Sequence, residues 1–172
     1  MKNKNILSKL FLYLTVLTGL VWLGGYIARI IITFQLFDGN QFELRSIFVG
    51  DALRAALYAI NPAITYNLLT YPIFLISLII FIFTAKLSLK ENGWLFISLI
   101  LIFLTAPFEL FLLSIDYKIA TSVFYNPNFD TAAILNLTIE RFKVLSSFPI
   151  IEVFIYCAII YLFLFQPLQK KS

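Results

Sequence analysis

Charged residues are so sparse along this chain that the gaps between them define its elements. A helix needs about 20 apolar residues to cross roughly 30 Å of hydrocarbon, and four stretches meet that requirement. The first, residues 10–37, is interrupted only by Arg29; the second, 63–85, is uncharged and lies between Arg54 and Lys86. The third, 94–115, holds only Glu109, and the fourth, 148–168, only Glu152. Open strands are excluded because lipid cannot satisfy their amides, and a barrel would show short alternating segments instead of long continuous ones. The pattern predicts an all-α integral membrane protein, a four-transmembrane-helix bundle forming a single domain over residues 1–172.

The two long connections carry a different pattern. Over 46–60, Asp51, Arg54 and Tyr58 share one helical face while Phe48, Leu53, Leu57 and Ile60 populate the rest, which predicts a short helix lying on the membrane surface. Asn61 and Pro62 then read as N-cap and first residue of the second span. In the other connection, 125–130 reads as a turn whose Asp130 caps a second amphipathic helix. Asn136, Glu140, Lys143 and Ser147 share one face of it and Leu135, Ile139 and Phe142 another, before Pro149 opens the fourth span.

Composition agrees with a lipid solvent. Hydrophobic residues make up 61% and charged residues 13%, against about 25% charged in soluble domains. The basic residues set an orientation. Lys2, Lys4, Lys9, Lys86, Lys90, Lys170 and Lys171 gather on one side against Glu91 alone, whereas the longer connections on the other side hold Arg45, Arg54, Lys118, Arg141 and Lys143. By the positive-inside rule both termini are expected in the cytoplasm, and the expected location is a bacterial inner (plasma) membrane. The apolar run after "MKNKN" exceeds a signal-peptide core and lacks a small-x-small cleavage site, so the first span is expected to stay uncleaved. No clustered basic face suggests nucleic acid as a partner; lipid and other membrane subunits are the partners expected.

Three ionisable residues lie within the spans. Arg29 is eight residues before Phe37, about 12 Å along a helix; Glu109 is seven before Asp116, about 10 Å; Glu152 is five after Ser147, about 7 Å. One cation and two carboxylates therefore share a layer in the outer half, and they form the candidate charge cluster. Ser98, Thr105, Glu109 and Asp116 fall on one stripe of the third span, and Thr18, Trp22, Gly25 and Arg29 on one stripe of the first, beside a Gly24/Ala28 pair suited to close helix approach. The expected pairing is Arg29 with Glu109, with Glu152 completing the layer. Two carboxylates against one guanidinium leave an excess negative charge that a bound proton would neutralise.

The chemistry inventory is short. There is no histidine, and Cys157 is the single cysteine, expected to be a buried, inert thiol in its apolar run. Haem ligation by two histidines, histidine-based zinc proteases, serine–histidine dyads and dithiol redox chemistry are all excluded. No catalytic residue, metal ligand or cofactor is assigned. Tyr66, Tyr71, Tyr117 and Tyr125 are candidates for an interfacial aromatic belt. These features point to a non-catalytic accessory or structural subunit of a membrane assembly, with a small-solute, proton or lipid-binding transporter as the alternative.

Overall fold

The computed structural model describes residues 6–39 and 41–169. Lys2, Lys4, Lys170 and Lys171, which contribute to the basic asymmetry, lie outside them. The chain runs through α1 (Ile6–Phe34), β1 (Phe37–Asp38), β2 (Glu43–Leu44), α2 (Asp51–Ala85), α3 (Gly93–Tyr125), α4 (Thr131–Val144) and α5 (Phe148–Phe165). Four of these, α1, α2, α3 and α5, are long and apolar enough to cross a membrane. Successive helices pack side by side, α1 on α2, α2 on α3 and α3 on α5, while α1 and α5 meet only loosely.

Two helices run past the limits expected of them. Residues 51–60 are not a separate surface helix: α2 is continuous from Asp51 to Ala85, with Pro62 in its interior and Asn61 buried and not capping. Proline is tolerated inside membrane helices where side chains and neighbouring helices compensate the freed backbone group. Likewise α3 passes through Asp116 and Lys118 to end at Tyr125, beyond the expected limit at 115. At 1.5 Å per residue, these helices of 35 and 33 residues reach about 50 Å, well over the hydrocarbon thickness.

Their extensions build a cap at one end of the bundle. There Leu57, Ile60, Ile119 and Val123 pack with Leu36 and Phe37, and with Phe129 and Ile134 from around the start of α4. A two-stranded antiparallel ribbon, pairing Phe37 with Leu44 and Asp38 with Glu43, joins the same core. Asp130 caps α4 by accepting hydrogen bonds from the amides of Ala132 and Ala133 at 2.9 and 3.2 Å. Phe142 then locks α4 down through ring contacts with Phe34 and Phe42, 4.9 and 5.9 Å between centroids.

Close approach of α1 to α2 depends on Gly25 and not on the Gly24/Ala28 pair. A Cβ on Gly25 would stand 2.6 Å from the Asn67 side-chain oxygen, whereas one on Gly24 would meet nothing within 4 Å. Gly24 and Ala28 face outward. Two other expectations change with the helix faces. Tyr71 is fully buried in the interior and is not part of a surface belt, and Cys157 is exposed on the outward side of α5 because that helix turns Glu152 and Tyr156 inward.

Candidate functional site: a buried charge cluster

Beneath the cap lies an aromatic layer. Trp22 contacts Tyr26, Tyr71 and Tyr156 at ring-centroid distances of 5.1, 4.7 and 4.7 Å, and the Tyr156 and Tyr71 hydroxyls stand 3.5 Å apart. α1, α2 and α5 thus meet on one tryptophan. One turn towards the cap from Trp22 stands Tyr26, and three residues further Arg29, which fits the 3.6-residue period that turns all three inward.

Arg29 does not bind Glu109. Its two terminal nitrogens donate to the two carboxylate oxygens of Asp116, Nη1 to Oδ2 at 2.6 Å and Nη2 to Oδ1, in the fork geometry that suits arginine to carboxylate. Arg141 completes the arrangement from α4. Its Nε donates to the Asp116 oxygens at 2.8 and 3.0 Å, and its Nη2 lies 3.6 Å from Glu109 Oε1. Asp116 and Glu109 are two turns apart on the inward stripe of α3, so one guanidinium spans both. The Arg141 guanidinium also sits over the Tyr26 ring, 5.6 Å from its centroid.

All five ionisable groups are withdrawn from the surface: Glu109, Asp116 and Glu152 are 0% exposed, Arg141 1% and Arg29 4%. Burial by itself would lower the Arg141 pKa, but the Asp116 and Glu109 carboxylates outweigh it and hold the pKa above the ordinary arginine value. Glu152, fully buried on the inward side of α5, joins the same interior. None of the four oxygens of Glu109 and Glu152, nor the Tyr26 hydroxyl, makes a hydrogen bond of ordinary geometry with the described residues. The cluster is therefore uneven. Asp116 is saturated by two cations, Glu109 has only the longer ion pair to Arg141, and Glu152 has no cation within 4 Å among the described residues.

No family model, curated protein or solved structure matches the chain. The geometry alone carries the functional reading.

Of the residues expected in the layer, Arg29, Glu109 and Glu152 all turn into the same interior, and the two members added by the structure are Asp116 and Arg141. Asp116 lies on the Glu109 stripe but reads in the sequence as the end of a span. Arg141 reads as a connection charge, although Ile134, Thr138, Arg141 and Phe142, spaced by four, three and one, mark the buried face of α4. That spacing is the signal by which it could have been found.

Chemically, the arrangement is a shared buried ion pair with an excess of negative charge, three carboxylates to two guanidinium groups. Breaking a buried ion pair by removing one partner costs about 3–5 kcal/mol, because the partner left behind is uncompensated. Among the described residues, no group of three or more metal-ligating side chains could hold a metal ion. Two cavities open along the α1/α5 seam, and neither is lined by a member of the cluster.

Proposed function

We propose that this protein is a non-catalytic accessory or structural subunit of a larger membrane assembly, in which the charge cluster fixes the cap to the bundle. The observation that carries the reading is the sharing of Asp116 between Arg29 of α1 and Arg141 of α4. One carboxylate holds the first membrane helix and the cap helix to α3, and the site is sealed by packing instead of opening to a ligand path. A rigid, closed cap on extended helices is suited to presenting a surface to neighbouring subunits. The proposal places the protein in a bacterial inner membrane with both termini cytoplasmic and the cap outside.

A second reading, a proton or small-solute transporter, is favoured by one feature: three carboxylates oppose two guanidinium groups, and the oxygens of Glu109 and Glu152 lack ordinary partners. The two are separated by one preparation. Tagged protein expressed at native level and extracted in mild detergent should elute with a stoichiometric membrane-protein partner, and after reconstitution alone should pass no protons above the level of empty vesicles carrying a pH-sensitive dye. A chain that elutes by itself and conducts protons, with conduction lost in Glu152→Gln, would replace the first reading with the second. For orientation, cysteines placed at Asn128 and Ser88 in a Cys157→Ser background are expected to react with an impermeant reagent in intact cells at Asn128 only. The reverse pattern inverts the topology.

A further inference from the structure

The larger cavity lies on the far side of the aromatic layer from the charge cluster, towards the end of the bundle that carries the termini. It has a volume of about 320 Å³ and is bounded by all four spans, with Leu12 of α1, Phe81 of α2, Trp94 of α3 and Phe163 of α5 towards its terminus-side end and Tyr156 towards the cap. Its exposed lining is wholly apolar. Because α1 and α5 pack loosely, it opens sideways through their seam, where hydrocarbon is the solvent. At about 30 Å³ for a water-sized group, it has room for roughly ten methylenes.

The rim supplies a second, independent feature. Lys9 lies three residues before Leu12, Lys86 five after Phe81 and Lys90 four before Trp94, so three lysines from α1 and the α2/α3 connection follow the cavity lining at the same end of the bundle, and all three are exposed. Among the described residues at that end the only acid in these segments is Glu91. We propose that the cavity binds one hydrocarbon chain of an anionic phospholipid whose phosphate is held by Lys9, Lys86 and Lys90. A partner's transmembrane helix, about 10–12 Å across with its side chains, is too wide to enter and would only cover the mouth. A single flexible chain enters lengthwise through the seam and places its headgroup at the basic rim.

Trp94 lines the cavity and provides the probe, since the chain has only one other tryptophan, Trp22. The Trp22→Phe protein is reconstituted in phosphatidylcholine vesicles containing a minor fraction of chain-brominated phosphatidylglycerol or, separately, chain-brominated phosphatidylcholine. Bromine is expected to quench Trp94 at lower lipid fraction with the anionic lipid, by about fivefold for each lysine engaged. Lys9→Gln, Lys86→Gln and Lys90→Gln together should abolish that preference. Val16→Phe, which adds bulk to the cavity wall and leaves the lysines intact, should reduce quenching by both lipids to the same low level.

Equal quenching by the two lipids in the unaltered cavity would overturn the proposal. So would an anionic preference that survives Val16→Phe, because the lysines would then be attracting surface lipid only. Absence of quenching together with energy transfer between labelled copies would show the mouth covered by a second chain and would also overturn it. Should Trp22→Phe or Val16→Phe fail to fold, the unaltered protein and Leu20→Phe give the same comparison, since Trp22 does not line the cavity and Leu20 does.

Discussion

Replacing Asp116 by asparagine keeps the shape of the side chain and removes the charge that two arginines share. In the folded protein this carboxylate accepts from Arg29 Nη1 at 2.6 Å and from Arg141 Nε at 2.8 Å, with no exposure to solvent. Asparagine can accept through one oxygen only, and its amide nitrogen would point a donor at a guanidinium. Arg29 would be left with no carboxylate in contact, and Arg141 with Glu109 alone at 3.6 Å. A broken buried pair costs about 3–5 kcal/mol, and for a chain of this length each kcal/mol corresponds to roughly 2–4 °C in melting temperature. Asp116→Asn should therefore melt about 6–20 °C below the parent when loss of the monodisperse peak is followed after heating in mild detergent. The control is Asp38→Asn, which breaks the Asp38–Arg45 pair at 3.0 Å, whose side chains are 68% and 42% exposed. Such a pair contributes about 0–1 kcal/mol, so its melting point should barely move. If the two variants shift by the same amount, burial confers no special weight on Asp116, and the account of the cluster as the lock on the cap is wrong.

Further expectations follow from the uneven charge count. Glu152→Gln removes one of three negative charges opposing two positive ones and should raise or preserve thermal stability, whereas Glu109→Gln, which takes a partner from Arg141, should lower it by less than Asp116→Asn; the reverse order in the same melting assay would contradict the assignment. Gly25→Ala should destabilise by forcing a Cβ against Asn67, while Gly24→Ala should be neutral or stabilising by up to about 1 kcal/mol, since alanine outranks glycine in a helix and open space receives it. Asp130→Ala removes the cap of α4 at a cost of about 0.5–2 kcal/mol, and hydrogen exchange should speed up in α4 with the amides of α5 unchanged.

The four spans were legible because bilayer thickness imposes a length that only uninterrupted apolar runs satisfy. Their ends at the cap were not. Asp51, Arg54, Asp116 and Lys118 look like the start of water, yet a helix supported by its neighbours has no reason to stop at the hydrocarbon boundary, and α2 and α3 continue through them. Depth along a helix gives Arg29, Glu109 and Glu152 one expected layer, and the structure buries all three. Depth carries no information on which helices are neighbours, so it could not choose between Glu109 and Asp116 as the partner of Arg29. Arg141 was obscured for a different reason. In the sequence it reads as a charge in a connection, whereas its position on the Ile134, Thr138, Phe142 face is the informative property.

The bond between Arg29 and Asp116 joins residues 87 positions apart in the chain. At about 5–20 residues per second, roughly 4–17 s of synthesis separate the two, so α1 enters the membrane as a charged helix long before its counter-ion has been made. During that interval the cost of a charge in the outer half of the span, below the roughly 2.5–3.5 kcal/mol of a central arginine, falls on α1 alone. The rest of the helix, with a mean hydropathy of 1.9 over its most apolar stretch, has to outweigh it unaided. Arg141, 25 residues further on, can close the network only after α3 has been made. The ribosome thus delivers the first cation, the shared carboxylate and the second cation in that order, and the apolarity of α1 acts on the chain before the finished cluster can stabilise anything.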